Sequence, residues 1–181
     1  IAARAGARVA CLDIDAQAAD DTRQLIEDHG GTAVALTGDA SDEASSEAAV
    51  REAAEALGGL DGLVLNVGIA LGQGLATDSQ DFDRTFAVNV RSHFLLSRAA
   101  APVLDNGSSI VFISSIAAAR AFSEMPAYDA SKAAVEALAR HTASELAPRG
   151  IRANAVSIGV VDTPLGRVSS KNRPARDGMK I

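Results

Sequence analysis

The residues 108–132, S-S-I-V-F-I-S-S-I-A-A-A-R-A-F-S-E-M-P-A-Y-D-A-S-K, decide how the chain is read. An apolar, β-branched run at 110–113 stops at the pair Ser114-Ser115, as a buried strand does. A short loop follows, and a helix then opens carrying Tyr128 and Lys132 at i and i+4, on one helical face. A hydroxyl, a phenol and an ammonium therefore meet at the carboxyl end of one strand, the edge at which open α/β sheets bind ligands. An ammonium beside a phenol favours the phenolate, which moves a tyrosine toward general acid/base work. A Tyr-x-x-x-Lys pair by itself is common as a surface pair. The strand end with Ser115 thirteen residues before Tyr128 is what sets this one apart.

Outward from that stretch the chain alternates short apolar runs with helical periodicity. Strands are predicted at 8–13, 32–36, 62–65, 109–113 and 152–156, and helices at 16–29, 41–58, 79–104 and from Tyr128 to about 146. Residues 1–6 read as a helix tail ended by Gly6. Ser41 is the expected cap of the second helix, and Asp15 that of the first. Strands separated by helices of this length imply parallel βαβ units, so the fold class is α/β, a three-layer doubly wound parallel sheet. Residues 1–181 are read as one domain, with 168–181 a basic loop on the substrate side.

Composition narrows the partners. A net charge of −6, no basic tract and 3% aromatic residues argue against nucleic acid. Mean hydropathy is +0.11, yet the longest uncharged stretch, 62–77, holds Asn66 and four glycines and makes a poor membrane span. A single cysteine, Cys11, excludes an internal disulfide, fits a reducing compartment and reads as a core residue. No leader is visible, so the expected location is cytoplasmic. His29, His93 and His141 stand singly on helical patterns, so no metal is expected. Gly72-Gln73-Gly74 imitates a phosphate loop without a third glycine in register and reads as a substrate-side loop.

With these motifs in place the chain resembles the short-chain dehydrogenase/reductases. The resemblance rests on Ser115, Tyr128, Lys132 and Asn89, together with Gly6-Ala7-Arg8-Val9, Asp39-Ala40, Asn66-Val67-Gly68, the run 152–156 and the run 159–164. It implies a Rossmann-fold oxidoreductase that interconverts a secondary alcohol and a ketone, a 3-oxoacyl or hydroxysteroid-like compound among the candidates. In that family the tyrosine exchanges the proton, the serine holds the substrate oxygen, the lysine binds ribose and tunes the tyrosine, and the asparagine anchors a relay water. The cofactor contacts implied are Asp13, Ile14, Asp39, Ala40, Asn66, Gly68, Tyr128, Lys132, Val161 and Thr163. An acid at Asp13 suits the free ribose hydroxyls and repels a 2′-phosphate, and no cation neighbours it in sequence, so NAD(H) is expected over NADP(H). The same likeness implies a homo-oligomer, a tetramer or dimer, with a small-molecule substrate.

The chain also departs from the family. The first strand and the glycine-rich turn that grips the pyrophosphate precede the stretch where these residues begin, and the last strand lies past their end. The expectation is a part of a longer chain, with the strand at Val9 left without a partner on the side of Leu63. A non-catalytic nucleotide-binding relative and an inactive fragment are the alternatives. Val67 stands where the family has Ala, and Ile158 where it has Pro.

Overall fold

The computed structural model describes residues 1–121 and 124–162. Its five strands are β1 (Arg8–Asp13), β2 (Thr32–Thr37), β3 (Leu60–Leu65), β4 (Leu104–Ser115) and β5 (Arg152–Ile158). The helices are α1 (Ala16–Asp28), α2 (Glu43–Leu57), α3 (Ser79–Phe86), α4 (Ser92–Ala100) and α5 (Pro126–Leu146). All strand pairing is parallel, and it forms two blocks: β1 with β2, and β3-β4-β5 in that order. β1 and β3 do not pair, which is the gap expected from the doubly wound order, where one strand stands between them.

One apolar cluster nonetheless joins the blocks. Ala10, Leu12, Val34 and Leu36 pack against a cluster that holds Val50, Ala53 and Leu57 of α2 together with Leu65, Phe112, Leu96, Val135 and Ala139. Helices α2, α4 and α5 thus lie on one face of the sheet, while α1 covers the opposite face of β1 and β2 with Ala19 and Ala33 buried. Phe112 and Ile110 are fully buried at the centre. Cys11, on the α1 side of β1, is only half-buried, because the pleat sends it away from the cluster that takes Ala10 and Leu12. It is not the core residue expected.

Capping follows side-chain reach. Asp15 caps α1, accepting from the Gln17 backbone N–H at 2.9 Å. At α2 the cap is Asp42, which accepts from Ser45 N–H at 2.8 Å, and the expected Ser41 instead donates its hydroxyl to Asp39 at 2.7 Å. The carboxylate of Asp42 sits three residues before an orphan N–H, the geometry of a first-turn cap.

The helix predicted over 79–104 is two helices joined by a π-turn at Ala87–Arg91. It also ends early, at Ala100, and β4 begins at Leu104. Pro102 cannot continue the helix's hydrogen bonding. Arg149 takes up the carbonyls released there, donating to Ala101 and Leu104 and to Asn106 Oδ1.

Candidate active site

The pleat of β4 sorts its terminal serines. Ser114 faces the helices, 2% exposed, and its hydroxyl lies 3.2 Å from the Lys132 carbonyl and 3.0 Å from Glu136 Oε1. Ser115 points the other way, half-buried, and its Oγ accepts from the Ala117 N–H at 3.2 Å, capping the 3-10 turn Ile116–Ala118. Ser115 is therefore the serine at the open carboxyl edge. Ser123, the other serine of this stretch, lies outside the described residues.

Tyr128 sits in the first turn of α5, with Lys132 one turn later. Lys132 is 3% exposed, its Nζ lies 5.7 Å from the centre of the Tyr128 ring, and it donates to the Ile113 carbonyl at 2.9 Å. Burial pushes its ammonium down to about 8. The lysine is thus held stiffly behind the tyrosine by the strand that delivers Ser115.

Asn89 stands on the π-turn, fully buried. Its Oδ1 accepts from Ile69 N–H at 2.8 Å, and its Nδ2 donates to the Ile69 carbonyl at 2.9 Å and to Ser131 Oγ at 2.9 Å. Ser131 in turn donates to the Tyr128 carbonyl at 2.7 Å. One bonded chain therefore runs from the 66–70 segment through Asn89 to the first turn of α5. Gly68 closes this group: a Cβ placed there would lie 3.4 Å from Lys132 Nζ and 3.6 Å from Asn89 Oδ1. Asn66, exposed, precedes it at the end of β3.

A second group forms at the ends of β1 and β2. The Gly38 N–H donates to the Asp13 carbonyl at 3.0 Å, which sets Asp39 and the buried Ala40 beside Asp13. Asp13 is exposed, with Oδ1 accepting from the Asp15 N–H at 3.0 Å, and Ile14 next to it is 69% exposed. Val161 is exposed beyond β5, and Thr163 lies outside the described residues, as does the 168–181 loop.

One group thus stands at the carboxyl ends of β1 and β2, the other beside those of β3 and β4. A carboxylate at the end of β1 can accept from adenosine ribose hydroxyls, and the side-chain-free Gly68 leaves room beside Lys132 and Asn89. Between them the described residues supply no glycine-rich turn. The 72–77 loop does not serve: the Gln73 N–H is spent on Thr77 Oγ1 at 2.9 Å and the Gly74 N–H on the Glu124 carbonyl at 2.5 Å. Gly72 has φ 99°, and a Cβ there would strike Thr77 at 2.2 Å, so the loop closes on itself around that threonine. Among the described residues, no three His, Cys, Asp or Glu side chains gather as metal ligands. Nor, among them, is any helix long and apolar enough to cross a membrane.

Four residues escape a reading by sequence alone. Ser131 and Glu136 act through tertiary contacts that no local spacing marks. Arg91 carries a guanidinium to the Ser41 carbonyl, a cation on the Asp39 side that Asp13's own sequence neighbours do not reveal. His93, one turn after Asn89, is fully buried edge-on to Phe112, 6.2 Å between ring centres. Among the described residues neither ring nitrogen has a hydrogen-bond partner. Burial first, and then the nearby Lys132 charge, push its pKa down to about 4; the Val67 backbone pulls weakly the other way without meeting hydrogen-bond geometry.

Comparison with known proteins adds the family. A family profile described as enoyl-(acyl carrier protein) reductase matches residues 1–180. The uncharacterized oxidoreductase YghA of Escherichia coli is 40% identical over 167 residues, which are 90% of this chain and 57% of that protein. The inactive 2-(S)-hydroxypropyl-CoM dehydrogenase 2 of Xanthobacter autotrophicus is 41% identical over 170 residues, 92% of this chain and 73% of that one. A solved short chain dehydrogenase from Burkholderia cenocepacia, in complex with NADP, superposes with a TM-score of 0.85 at 38% identity, covering 90% of this chain and 68% of that one.

Proposed function

Because the chain belongs to the short-chain dehydrogenase/reductase family, we propose that it interconverts a secondary alcohol and a ketone with NAD(H). The observation that carries this reading is Lys132. It is an ammonium 3% exposed, beneath Gly68, one turn from Tyr128 and bonded to the strand that ends in Ser115. Burying a charge there is costly, and the single bond to the Ile113 carbonyl recovers only a small part of that cost.

In this reading a bound nicotinamide supplies or takes the hydride. Everything else is done by the chain. Ser115 Oγ holds the substrate oxygen, and Tyr128 Oη gives that oxygen a proton in reduction or removes one in oxidation. Lys132 places its charge behind the Tyr128 ring and presents its remaining N–H groups to the nicotinamide ribose. Asn89 orders the 66–70 segment and, through Ser131, the backbone of Tyr128. Asp13 and Ile14 take the adenosine ribose, Asp39 and Ala40 the adenine, Asn66 and Gly68 the floor beneath the cofactor, and Val161 and Thr163 the carboxamide. The reading includes a cytoplasmic location and a homotetramer or homodimer.

Turnover of a panel of secondary alcohols with NAD+ and with NADP+ tests it. We expect NAD+ to be preferred, and Asp13→Ser to raise the relative use of NADP+ by removing the repulsion of a 2′-phosphate. Preference for NADP+ in the unaltered protein would exclude the role of Asp13.

A second reading, a nucleotide-binding relative without catalysis, is favoured by the relative named inactive. Its prediction is nucleotide binding with no turnover. The presence together of Ser115, Tyr128, Lys132 and Asn89 speaks against it.

A further inference from the structure

Ser114 and Ser157 are direct partners in the β4–β5 ladder, and Ser115 with Ile158 is the pair that follows and ends it. Both hydroxyls of the Ser114–Ser157 pair point to α5, and both reach the same oxygen there. Ser114 Oγ is 3.0 Å and Ser157 Oγ 2.6 Å from Glu136 Oε1. Glu136 stands one helical turn after Lys132, whose Nζ bonds back to the Ile113 carbonyl at 2.9 Å and whose own carbonyl lies 3.2 Å from Ser114 Oγ. The helix that carries Tyr128 is thereby tied to the carboxyl ends of β4 and β5 by four side chains, those of Lys132, Glu136, Ser114 and Ser157. An ionised carboxylate accepts such bonds more strongly than a neutral group, and it offers Ser114 an acceptor besides the Lys132 carbonyl.

We propose that Glu136 is a positioning residue. From α5 its carboxylate gathers the carboxyl ends of β4 and β5, and so fixes where Ser115 stands and how the 158–161 segment leaves the sheet. Glu136 touches none of the reacting atoms. The hydrogen bonds of the sheet ladder run within the sheet, and Lys132 bonds only to β4, so it is Glu136 that joins the end of β5 to the helix, through Ser157. This inference rests on the oxidoreductase reading for its catalytic consequence, while the clamp itself does not.

The test compares Glu136→Ala, Glu136→Gln and Ser157→Ala with the unaltered protein by two measurements. The first is amide hydrogen exchange in 113–117 and 156–161, which is read whether or not the protein turns over. Loss of hydrogen bonds to a charged acceptor should speed exchange there by about tenfold in the Ala variant, with β1 and β2 unchanged. The Gln variant, which keeps an acceptor oxygen, should lie near the parent. The second is steady-state kinetics with the best alcohol and NAD+. Displacement of Ser115 should lower kcat by about 10- to 100-fold in the Ala variant with the KM for cofactor nearly constant, and Gln should recover most of it. Unchanged exchange overturns the clamp. Faster exchange with an unchanged kcat overturns the positioning role. A parent protein that binds NAD+ without turnover counts against the proposed function alone, and the exchange result still decides the clamp.

Discussion

At the scale of the residue, two buried bases carry consequences that a titration can read. Lys132 gives up its proton at about 8 in the folded chain against 10.5 when exposed. Between those values the unfolded chain holds the extra proton, so stability rises with pH across that window, and below it the whole burial penalty is present. Lys132→Met should therefore stabilise the fold at pH 7 by about 1–2 kcal/mol, after allowing for the bond lost to Ile113, while abolishing turnover. Denaturant titration of both proteins at pH 7 and pH 10 checks it: the gap should narrow at the higher pH. His93 is depressed to about 4 from 6.5. The unfolded chain takes a proton across that interval and the folded chain does not, so stability falls as pH drops through it, by up to about 3 kcal/mol. Thermal melts from pH 7 to pH 4 should show a flatter decline in His93→Leu than in the parent. Ser115, Tyr128 and Lys132 were legible because one strand and one helix carry them all at fixed spacing. His93 was not, since a lone histidine on a helical pattern reads alike on any face, and only its burial edge-on to Phe112, near the Lys132 charge, reveals its environment.

At the scale of the element, the π-turn at Ala87–Arg91 is the feature the sequence conceals most fully. Hydrophobic periodicity averages over a single widened turn, so 79–104 reads as one helix. Such turns are frequent at functional sites because they redirect one side chain. Here the side chain is Asn89, which spends all its polar atoms on Ile69 and Ser131. Asn89→Leu, which leaves the Ile69 backbone groups unpaired, should destabilise the chain by about 2–4 kcal/mol and raise exchange at 67–70. A variant of parental stability with parental exchange would show that Asn89 does not hold the segment. The end of α4 was obscure for a related reason. Pro102 announces a break, but Arg149, distant in sequence, gathers the carbonyls around it.

At the scale of the whole molecule, the parallel alternation of strands and helices was legible throughout, because each strand is bounded by a cap, a glycine or a proline. The division of the sheet followed from strand order alone. Among the described residues the largest fully buried side chains include Phe112 of β4 and Leu65 of β3. Phe112→Ala should cost about 3–5 kcal/mol. Equilibrium unfolding of this variant and of the parent checks it: a loss below about 1 kcal/mol would show that the core is not anchored on β4.

In the proposed function Tyr128 exchanges the proton of a secondary alcohol at the edge built by Ser115 and Lys132. NADH formation from secondary alcohols by the unaltered protein and by Tyr128→Phe, with melting temperature and NAD+ affinity measured on both, tests that role. We expect a fall in kcat of about 10²- to 10⁴-fold in the Phe variant, with folding and cofactor affinity nearly unchanged. Equal turnover by the two proteins would contradict it.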